Sequence, residues 1–356
     1  MIDARVGGRR WTTWLHRGVT VCAWAYPAAL LVVVLLLRFG GERWWLTAVA
    51  LYVPRRLFGI PLLPIVLALL LQRRFRLLAT PIVAVLIVLF PLMGLVLPAW
   101  RRVAPDRPRL RVLTVNADSA NEGAGVLLAA IDRYAPDVVL MQEIAVSPSH
   151  PLMRGLSLRY PVVSAASQFI VASRFPLSPT KDAELLRPNP PGQPARFERY
   201  VVQAPFGSLA LYNVHFISPR GSFYKARGHG LRSEILSGRL FASGGPGAIQ
   251  ANSRQRALQA DDVAASARAE RLPVLIAGDT NLPGLSLALA ALAAGYRDGF
   301  REAGAGFGYT FPASDPWMRI DRMLASDPLR FVRFEVGCQG ASDHLCAVAE
   351  IVGPAP

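Results

Sequence analysis

Residues 273–281 read Pro-Val-Leu-Ile-Ala-Gly-Asp-Thr-Asn, an apolar run that ends on a glycine and a carboxylate. A short apolar run bounded by a turn signal is typical of a strand buried on both faces. Glycine allows a tight turn and the close approach of a ligand. Asp279 and Asn281 are two positions apart, so in extended chain they point the same way. The stretch predicts a buried strand that carries a carboxylate and an amide to one edge of a sheet, although an Asx turn capping a following helix would use the same residues.

Polar residues end three other predicted strands in the same way. They are Asn116 after Leu110–Val115, Glu143 after Asp137–Met141, and Asn213 and His215 within Ser208–Phe216. Polar residues at the ends of several strands are explained if distant segments of the chain form one site. A hard divalent cation with carboxylate ligands neutralises charge on a phosphate, so we expect a metal and a phosphate to meet there.

The C-terminal part adds the triplet Ser342-Asp343-His344, which joins a carboxylate to a titratable imidazole. Asp321, in Arg319-Ile320-Asp321, is a candidate to fix the tautomer of His344. Each residue also has a plain structural interpretation, such as a solvated glutamate or a core histidine at a strand end. It is the ordered set of motifs that favours a functional site.

The remaining pattern is that of an α/β domain. Helices are predicted at Gly125–Tyr134 and Ser253–Glu270, and further strands at Phe169–Ser173, Glu198–Ala204, Arg319–Ala325 and Cys346–Val352. Two strand–helix–strand units among strand-rich stretches predict two packed mixed sheets with helices outside. Residues 178–196 and 218–252 are predicted to be long loops. Cys338 and Cys346 flank the triplet, and the sequence favours two unpaired core residues over a disulfide.

From about residue 109 to 352 the chain resembles the endonuclease/exonuclease/phosphatase (DNase I-like) superfamily. The matching pieces, in the family order, are Leu113–Asn116, Pro136–Glu143, Asn213–His215, Gly278–Asn281, Arg319–Asp321 and Ser342–His344. The resemblance implies a four-layer α/β/β/α sandwich. It also implies cleavage of a phosphate ester with Mg²⁺, or with Mn²⁺ as the alternative metal.

The resemblance also implies roles for individual residues. Asn116 and Glu143, with Asp343 as a further ligand, would organise the metal. Asp279 would orient or deprotonate the attacking water, and Asn281 and Asn213 would bind phosphate. His215 and His344 would stabilise the transition state, with Asp321 behind His344. Thr280 stands where the family usually has an aromatic residue, and Tyr212-Asn-Val-His215 replaces the Tyr-x-Pro-Asn segment of the abasic-site nucleases, which disfavours that repair role.

The N-terminal third is much more apolar than the rest of the chain. Residues 19–37 and 77–99 are uncharged and long enough to span a bilayer. The stretch 44–71 is apolar except for Arg55 and Arg56, and we expect a third crossing there rather than an interfacial hairpin. The predicted divisions are a basic tail (1–18), a membrane domain (19–100), a linker (101–108) and the catalytic domain (109–353). No signal-peptide cleavage site precedes the next basic cluster.

The net charge of +15 divides unevenly, with +11 in residues 1–108 and +4 in the remainder. Most of the excess therefore flanks the apolar segments, where it suits anionic headgroups. Partners predicted from this division are a phosphate-ester substrate and the lipid bilayer, while nucleic acid is not favoured. No protein partner can be inferred. The alternatives are a surface or periplasmic nuclease for DNA or RNA, and a non-enzymatic membrane scaffold.

Membrane topology is not decided by the arginines. With three crossings, seven lie on each side of the membrane before the catalytic domain. The N-terminal cluster usually has most influence, which favours a multi-pass inner-membrane protein with its catalytic domain on the outer, periplasmic side. A two-span hairpin would leave that domain in the cytoplasm.

Overall fold

The computed structural model describes residues 4–98, 107–179, 196–222 and 245–353. Helices are numbered along these residues, and short 3₁₀ and π turns extend several of them. They are α1 (Ala4–Leu35), α2 (Trp45–Ala50), α3 (Leu62–Leu71), α4 (Ala79–Ile87), α5 (Ala124–Tyr134), α6 (Pro151–Ser157), α7 (Gly245–Arg268), α8 (Leu287–Leu292) and α9 (Gly299–Ala303).

The strands form two six-stranded sheets. They are β1 (Arg109–Asn116), β2 (Val138–Gln142), β3 (Val162–Ala166), β4 (Phe169–Ser173), β5 (Leu177–Pro179), β6 (Phe197–Ala204), β7 (Gly207–His215), β8 (Val274–Asp279), β9 (Arg297–Asp298), β10 (Asp321–Ala325), β11 (Arg330–Gly337) and β12 (Cys346–Val352). The strand order is β11-β12-β1-β2-β4-β3 in the first sheet and β5-β6-β7-β8-β10-β9 in the second. Both sheets are mixed, as predicted.

Three apolar cores hold these elements together. Leu140 of β2 and Leu275 of β8 belong to a core that the inner faces of the two sheets share. Leu127 of α5 lies in a second core on the other face of the first sheet. Val263 of α7 lies in a third core, against the second sheet. Central strands such as β2 are buried at every position, which explains their unbroken apolar runs.

The register of the central strands brings the polar strand ends together. β1 and β2 run parallel and pair Asn116 with Gln142. β7 and β8 also run parallel and pair His215 with Asp279. β10 is antiparallel to β8 and pairs Asp321 with Asp279. The carboxyl ends of four strands and the start of a fifth therefore share one edge of the molecule.

Several secondary-structure elements differ from those predicted from the sequence. The helix expected at Ser253–Glu270 begins at Gly245, inside a stretch predicted as loop, because a first helical turn tolerates proline and glycine. The alternating strand Arg330–Gly337 was not predicted, since its charged residues face outward at the sheet edge. Residues 180–195 and 223–244 of the two predicted loops lie outside the described residues.

The expectation of unpaired Cys338 and Cys346 is wrong. The two residues form a disulfide, with Cα atoms 5.4 Å apart. The pairing of β11 with β12 places Gly337 opposite Cys346, so Cys338 follows directly beside its partner. The sequence did not reveal this neighbourhood because β11 itself was missed.

Two helices, Thr13–Arg43 and Phe75–Leu92, are long and apolar enough to cross a membrane, as far as the described residues go. The stretch 44–71 is divided into α2, a 3₁₀ turn at Arg55–Gly59 and the ten-residue α3. Its crossing of a membrane stays a prediction.

The N-terminal region packs directly against the two-sheet domain. Glu42 accepts hydrogen bonds from the Ser286 hydroxyl and, at 2.9 Å, from the Leu287 backbone nitrogen. Further along, the Tyr309 hydroxyl donates to the Met93 carbonyl at 2.9 Å. The ends of both apolar helices that lead towards the domain are therefore held by it.

Candidate active site

Asp279, at the end of β8, is the centre of the polar cluster and is 1% exposed. Its Oδ2 accepts a hydrogen bond from Asn116 Nδ2 at 3.1 Å and from Asn281 Nδ2 at 3.2 Å, and its Oδ1 accepts from the Asn281 backbone nitrogen at 2.8 Å. Gly278 before it has φ +140°, and a Cβ there would lie 2.1 Å from the Val214 carbonyl oxygen. Only glycine therefore allows β8 to lie this close to β7.

Glu143 and His215 face each other across the gap between the two sheets. Glu143 follows β2 with φ 52°, a left-handed turn that directs its side chain out of the strand. Its Oε1 lies 3.0 Å from His215 Nε2, which is also 3.9 Å from Asp279 Oδ2. The other ring nitrogen, Nδ1, is 2.6 Å from Gln168 Oε1. The His215 ring thus lies between Gln168 on one side and two carboxylates on the other.

His344 lies on the opposite flank of Asp279. Its Nδ1 is 2.9 Å from Asp321 Oδ2, and its Nε2 is 3.8 Å from Asp279 Oδ2. The Phe311 ring packs against the imidazole at a centroid distance of 4.6 Å. Asp321 thus holds Nδ1–H, as predicted from the sequence, and leaves Nε2 facing the centre of the site.

The environments of these groups separate their proton affinities. Desolvation pushes the pKa of Glu143 up, but interactions with His215 and Asn116 outweigh it and hold that pKa at about 2. Burial raises the pKa of Asp279, against the attraction of His344. Desolvation opposes charge on His344, but Asp321 and Asp279 outweigh it and raise its pKa to about 10. A pair of carboxylates with opposite shifts is typical of one ligand or charged anchor and one proton acceptor.

The donor atoms fit a divalent metal. Glu143, His215 and Asp279 can each offer one ligand atom, and these atoms lie within 4.8 Å of one another, as do those of Asp279, Asp321 and His344. Asp321 Oδ1 is buried and has no hydrogen-bond partner among the described residues. Carboxylate oxygens that converge with an imidazole nitrogen can hold a divalent cation.

Two predicted site residues occupy positions that the motifs did not anticipate. Asp343 is outside both groups of potential ligands, because Arg220 Nη2 lies 2.6 Å from its Oδ2. Asn213, two residues before His215 on β7, is fully buried. Its Oδ1 accepts a hydrogen bond from Gln142 Nε2 at 2.6 Å, and its Nδ2 donates to the Met141 carbonyl. Both amide groups of Asn213 are used inside the protein, so the structure favours a supporting position for it over phosphate contact.

Three neighbours of the site were missed by sequence reasoning. Gln168 orients His215 from the turn between β3 and β4. Arg220 pairs with Asp343 and stacks over Phe311 at 4.8 Å. Gln168, Arg220 and Phe311 belong to no recognised motif, and the Gly-, Ser- and Arg-rich stretch 218–252 that contains Arg220 was predicted only as a long loop.

The sequence match with known families covers most of this domain. The model described as "Endonuclease/Exonuclease/phosphatase family" matches residues 113–344. The chain belongs to this family. The match begins in β1 and ends at His344, so it contains every site residue named above. Curated proteins give no match.

Solved structures that are similar to the chain are distant in sequence. An endonuclease/exonuclease/phosphatase from Beutenbergia cavernae DSM 12333 is 20% identical, with a TM-score of 0.44 over 70% of this chain and 73% of that one. A truncated Caenorhabditis elegans TDP2 is 15% identical, with a TM-score of 0.47 over 69% and 98%. A mannosyl-6-phosphatase from Bacteroides thetaiotaomicron VPI-5482 is 15% identical, with a TM-score of 0.48 over 68% and 99%.

Proposed function

We propose that the protein is a membrane-anchored, Mg²⁺-dependent phosphoesterase that hydrolyses a phosphate ester at the bilayer surface, with a phospholipid headgroup as the substrate class. The observation that carries this proposal is the convergence of Glu143, His215, Asp279, Asp321 and His344 at one edge of the two sheets. Membership of the family supports a hydrolytic reaction. The three apolar cores support the four-layer arrangement of helix, sheet, sheet and helix.

Glu143 and His215 would hold the metal, and Asn116 would keep the Glu143 and Asp279 carboxylates in place beside it. The bound ion would supply charge neutralisation at the phosphate. Asp279, with its raised pKa, accepts a proton from the attacking water more readily than an ordinary aspartate. His344 is held cationic by Asp321, and its Nε2–H donates to a phosphate oxygen as negative charge develops there. Asn281 Nδ2 donates to Asp279 Oδ2 and to the Phe216 carbonyl, so Asn281 would position Asp279, and its contact with phosphate stays a prediction.

The distribution of apolar surface supports the membrane anchor. Of the 26 large apolar side chains that are exposed in the described residues, 23 lie between Trp14 and Leu97. Soluble proteins seldom expose a continuous apolar surface of this extent. A lipid environment would cover it. Anchoring in turn brings the site to substrates that are themselves in the bilayer.

Contacts at the two ends of the apolar helices support three crossings. Glu42 and Met93, near the ends of the two long apolar helices, both contact the catalytic domain. At the other end, His16 Nδ1 lies 2.7 Å from Gln72 Oε1. Tyr52 and Arg56 also contact the domain, through Asn281 and Asp315. The chain therefore leaves the domain side after Arg56 and reaches the far side by Gln72, so residues 57–71 would return across the membrane. An odd number of crossings places the N-terminus and the catalytic domain on opposite sides.

The disulfide supports the outer, periplasmic location of that domain. Disulfides form and persist in oxidising compartments and are rare in the cytosol. The Cys338–Cys346 bridge lies in the catalytic domain, beside the loop that carries His344. Protease treatment of spheroplasts before and after lysis tests this location, since a periplasmic domain would be cleaved in both and a cytoplasmic domain only after lysis.

The activity is tested with purified full-length protein in detergent. It would be given bis-p-nitrophenyl phosphate, sphingomyelin, phosphoinositides and plasmid DNA, each with Mg²⁺ or EDTA. We expect Mg²⁺-dependent hydrolysis of a lipid substrate. Cleavage of DNA without cleavage of lipid would instead establish the nuclease alternative, which the +4 charge of residues 109–356 disfavours. Absence of metal-dependent hydrolysis on every substrate would leave the scaffold alternative.

Site variants need matched controls. His344→Ala and Asp279→Ala are each expected to lower the rate by on the order of 10²–10⁴-fold, because each removes a positioned acid or base. His150→Ala is the control for the first, since His150 caps α6 and is outside both ligand groups. Asp327→Ala is the control for the second, since its side chain is 71% exposed. Near-wild-type rates in folded His344→Ala or Asp279→Ala protein would show that the roles are wrong.

A further inference from the structure

A cavity of about 60 Å³ lies where the N-terminal region meets the catalytic domain. Its walls come from Leu51 and Arg55, from residues 91–94 at the end of the second apolar helix, and from the domain segments 283–285 and 317–319. None of the residues that line it belongs to the two groups of potential metal ligands. A buried water needs roughly 10–15 Å³ of such space. The cavity therefore has room for several waters or for a group of a few heavy atoms.

Three residues that line this cavity carry buried donor nitrogens without acceptors. The atoms are Arg55 Nη1, Trp317 Nε1 and Arg319 Nη1, and no described residue provides a hydrogen-bond partner for any of them. Arg55 is only 5% exposed, and its second terminal nitrogen, Nη2, donates to the Leu51 carbonyl at 2.7 Å. Buried polar groups in folded proteins are almost always satisfied. Three unsatisfied donors around one space indicate an acceptor that occupies it.

The charge around the cavity is strongly positive. Arg55, Arg301, Arg319 and Arg322 line it, and no aspartate or glutamate is among the described residues of its walls. Asp298 reaches two of the four guanidinium groups from outside, at 3.4 Å from Arg319 and 3.1 Å from Arg322. Arg301 is exposed to solvent, whereas Arg55, Arg319 and Arg322 are largely buried and have one carboxylate between them. Because burial of unpaired charge is unfavourable, the occupant should be anionic.

We propose that this cavity binds a phosphate group, separately from the active site. A guanidinium group presents its N–H donors in a planar fork that matches phosphate oxygens, and an indole N–H adds a further donor. The walls contributed by residues 51–55 and 91–94 continue into the apolar helices. That position is where the headgroup phosphate of a phospholipid would lie beside an embedded helix. Free phosphate offers the same oxyanion from solution, and the experiment distinguishes the two sources.

Binding is measured on full-length protein in detergent, in EDTA so that metal-dependent phosphate binding at the active site is suppressed. The ligands are short-chain phosphatidylglycerol, inorganic phosphate, and short-chain diacylglycerol, which lacks the phosphate. Native mass spectrometry gives lipid adducts, and thermal unfolding gives the shift caused by each ligand. We expect phosphatidylglycerol to bind and diacylglycerol not to bind.

Arg55→Met and Arg56→Met form a matched pair of variants. Arg56 is the next residue but pairs with Asp315 at the surface, where its side chain is 51% exposed. We expect Arg55→Met to weaken phosphate-dependent binding at least about tenfold, since hydrogen bonds to charged groups are among the stronger ones. Arg56→Met should bind as the wild type does. Without ligand, Arg55→Met should unfold at the same or a higher temperature, because it removes a buried unpaired charge. A purely structural arginine would give a lower unfolding temperature.

Trp317→Phe keeps the ring and removes only the N–H donor, so it carries the test if Arg55→Met does not fold. We expect it to weaken binding about fivefold, which corresponds to one ordinary hydrogen bond. Binding of inorganic phosphate alone, lost in Arg55→Met, would support the site and show that its phosphate comes from solution. The proposal would be overturned if neither phosphate ligand bound, if diacylglycerol bound as tightly as phosphatidylglycerol, or if Arg56→Met weakened binding as much as Arg55→Met.

Discussion

Asp321→Asn tests the electrostatics of the candidate site most directly. The substitution keeps the size of the side chain and an oxygen that can accept from His344 Nδ1, but it removes the negative charge 2.9 Å from the imidazole. In the wild type, the pKa of His344 rises from its usual 6.5 to about 10, against desolvation, and Asp321 is the largest of the groups that raise it. We expect the variant to lose much of that rise.

The magnitude follows from the linkage between charge and proton affinity. One pKa unit corresponds to about 1.4 kcal/mol, so loss of about two units would remove roughly 2.7 kcal/mol of imidazolium stabilisation. Because the pKa is higher in the folded protein than in the unfolded chain, this stabilisation is fully present below about pH 6.5. It is lost as the pH rises through about 10. The stability deficit of Asp321→Asn should therefore be largest below neutral pH and vanish at strongly alkaline pH.

Hydrogen–deuterium exchange at the imidazole C2 position, followed by mass spectrometry, measures the titration of His344 in metal-free full-length protein. The control is Asp327→Asn, an aspartate that pairs with Arg297 and Arg330 at the surface. We expect the His344 midpoint to fall in Asp321→Asn and to stay in place in Asp327→Asn. Equal midpoints in wild type and Asp321→Asn would refute the assignment of Asp321 as the partner that keeps His344 charged.

Four further predictions address the fold and its coupling to the site. Gly278→Ala should prevent folding, because its Cβ would lie 2.1 Å from the Val214 carbonyl oxygen. The control Gly284→Ala should fold, since nothing lies within 4 Å of its Cβ. Expression levels and unfolding curves of the two variants test this difference. Tyr52→Phe should lower kcat about three- to tenfold with little change in KM, because it removes the hydrogen bond to the Asn281 carbonyl. The control is Tyr160→Phe, which removes a hydrogen bond to the Pro136 carbonyl and should leave kcat unchanged. Mg²⁺ at about 100 times its Kd should stabilise the folded protein by about 2.7 kcal/mol, measured as a rise in Tm that is absent in Glu143→Gln. Replacing Cys338 and Cys346 with serine should cost about 2–3 kcal/mol of stability, and reductant should lower the Tm of the wild type but not of this variant.

The site residues that could be predicted from the sequence are those at the ends of strands. An apolar run followed by a polar residue marks both a buried strand and the edge where its chain emerges, and Asp279 and Glu143 were located in this way. Parallel neighbours then bring such edges together without further information. The pairing of His344 with Asp321 also followed from the sequence, because an imidazole in a site requires a partner for its second nitrogen.

The part that could not be predicted depends on packing between distant segments. Alternation places Asn213 on the same face as His215, but only the opposite sheet determines that Gln142 fills the space in front of it. Gln168 reaches His215 from a turn that has no distinguishing pattern. The partner of Cys338 became apparent only once β11 had been located. No local periodicity reports on such contacts.

The hydrogen bond from the Tyr52 hydroxyl to the Asn281 carbonyl, at 2.8 Å, affects which form of this protein should be purified for assays. Arg256 donates to the same hydroxyl at 2.7 Å, and Glu42 occupies the N-terminus of α8. A shortened protein that begins at residue 109 would keep the whole family domain, yet it would lose all three contacts next to the catalytic loop. If the shortened protein failed to turn over substrate, loss of these contacts would be a sufficient explanation. Assays should therefore begin with the full chain in detergent or lipid.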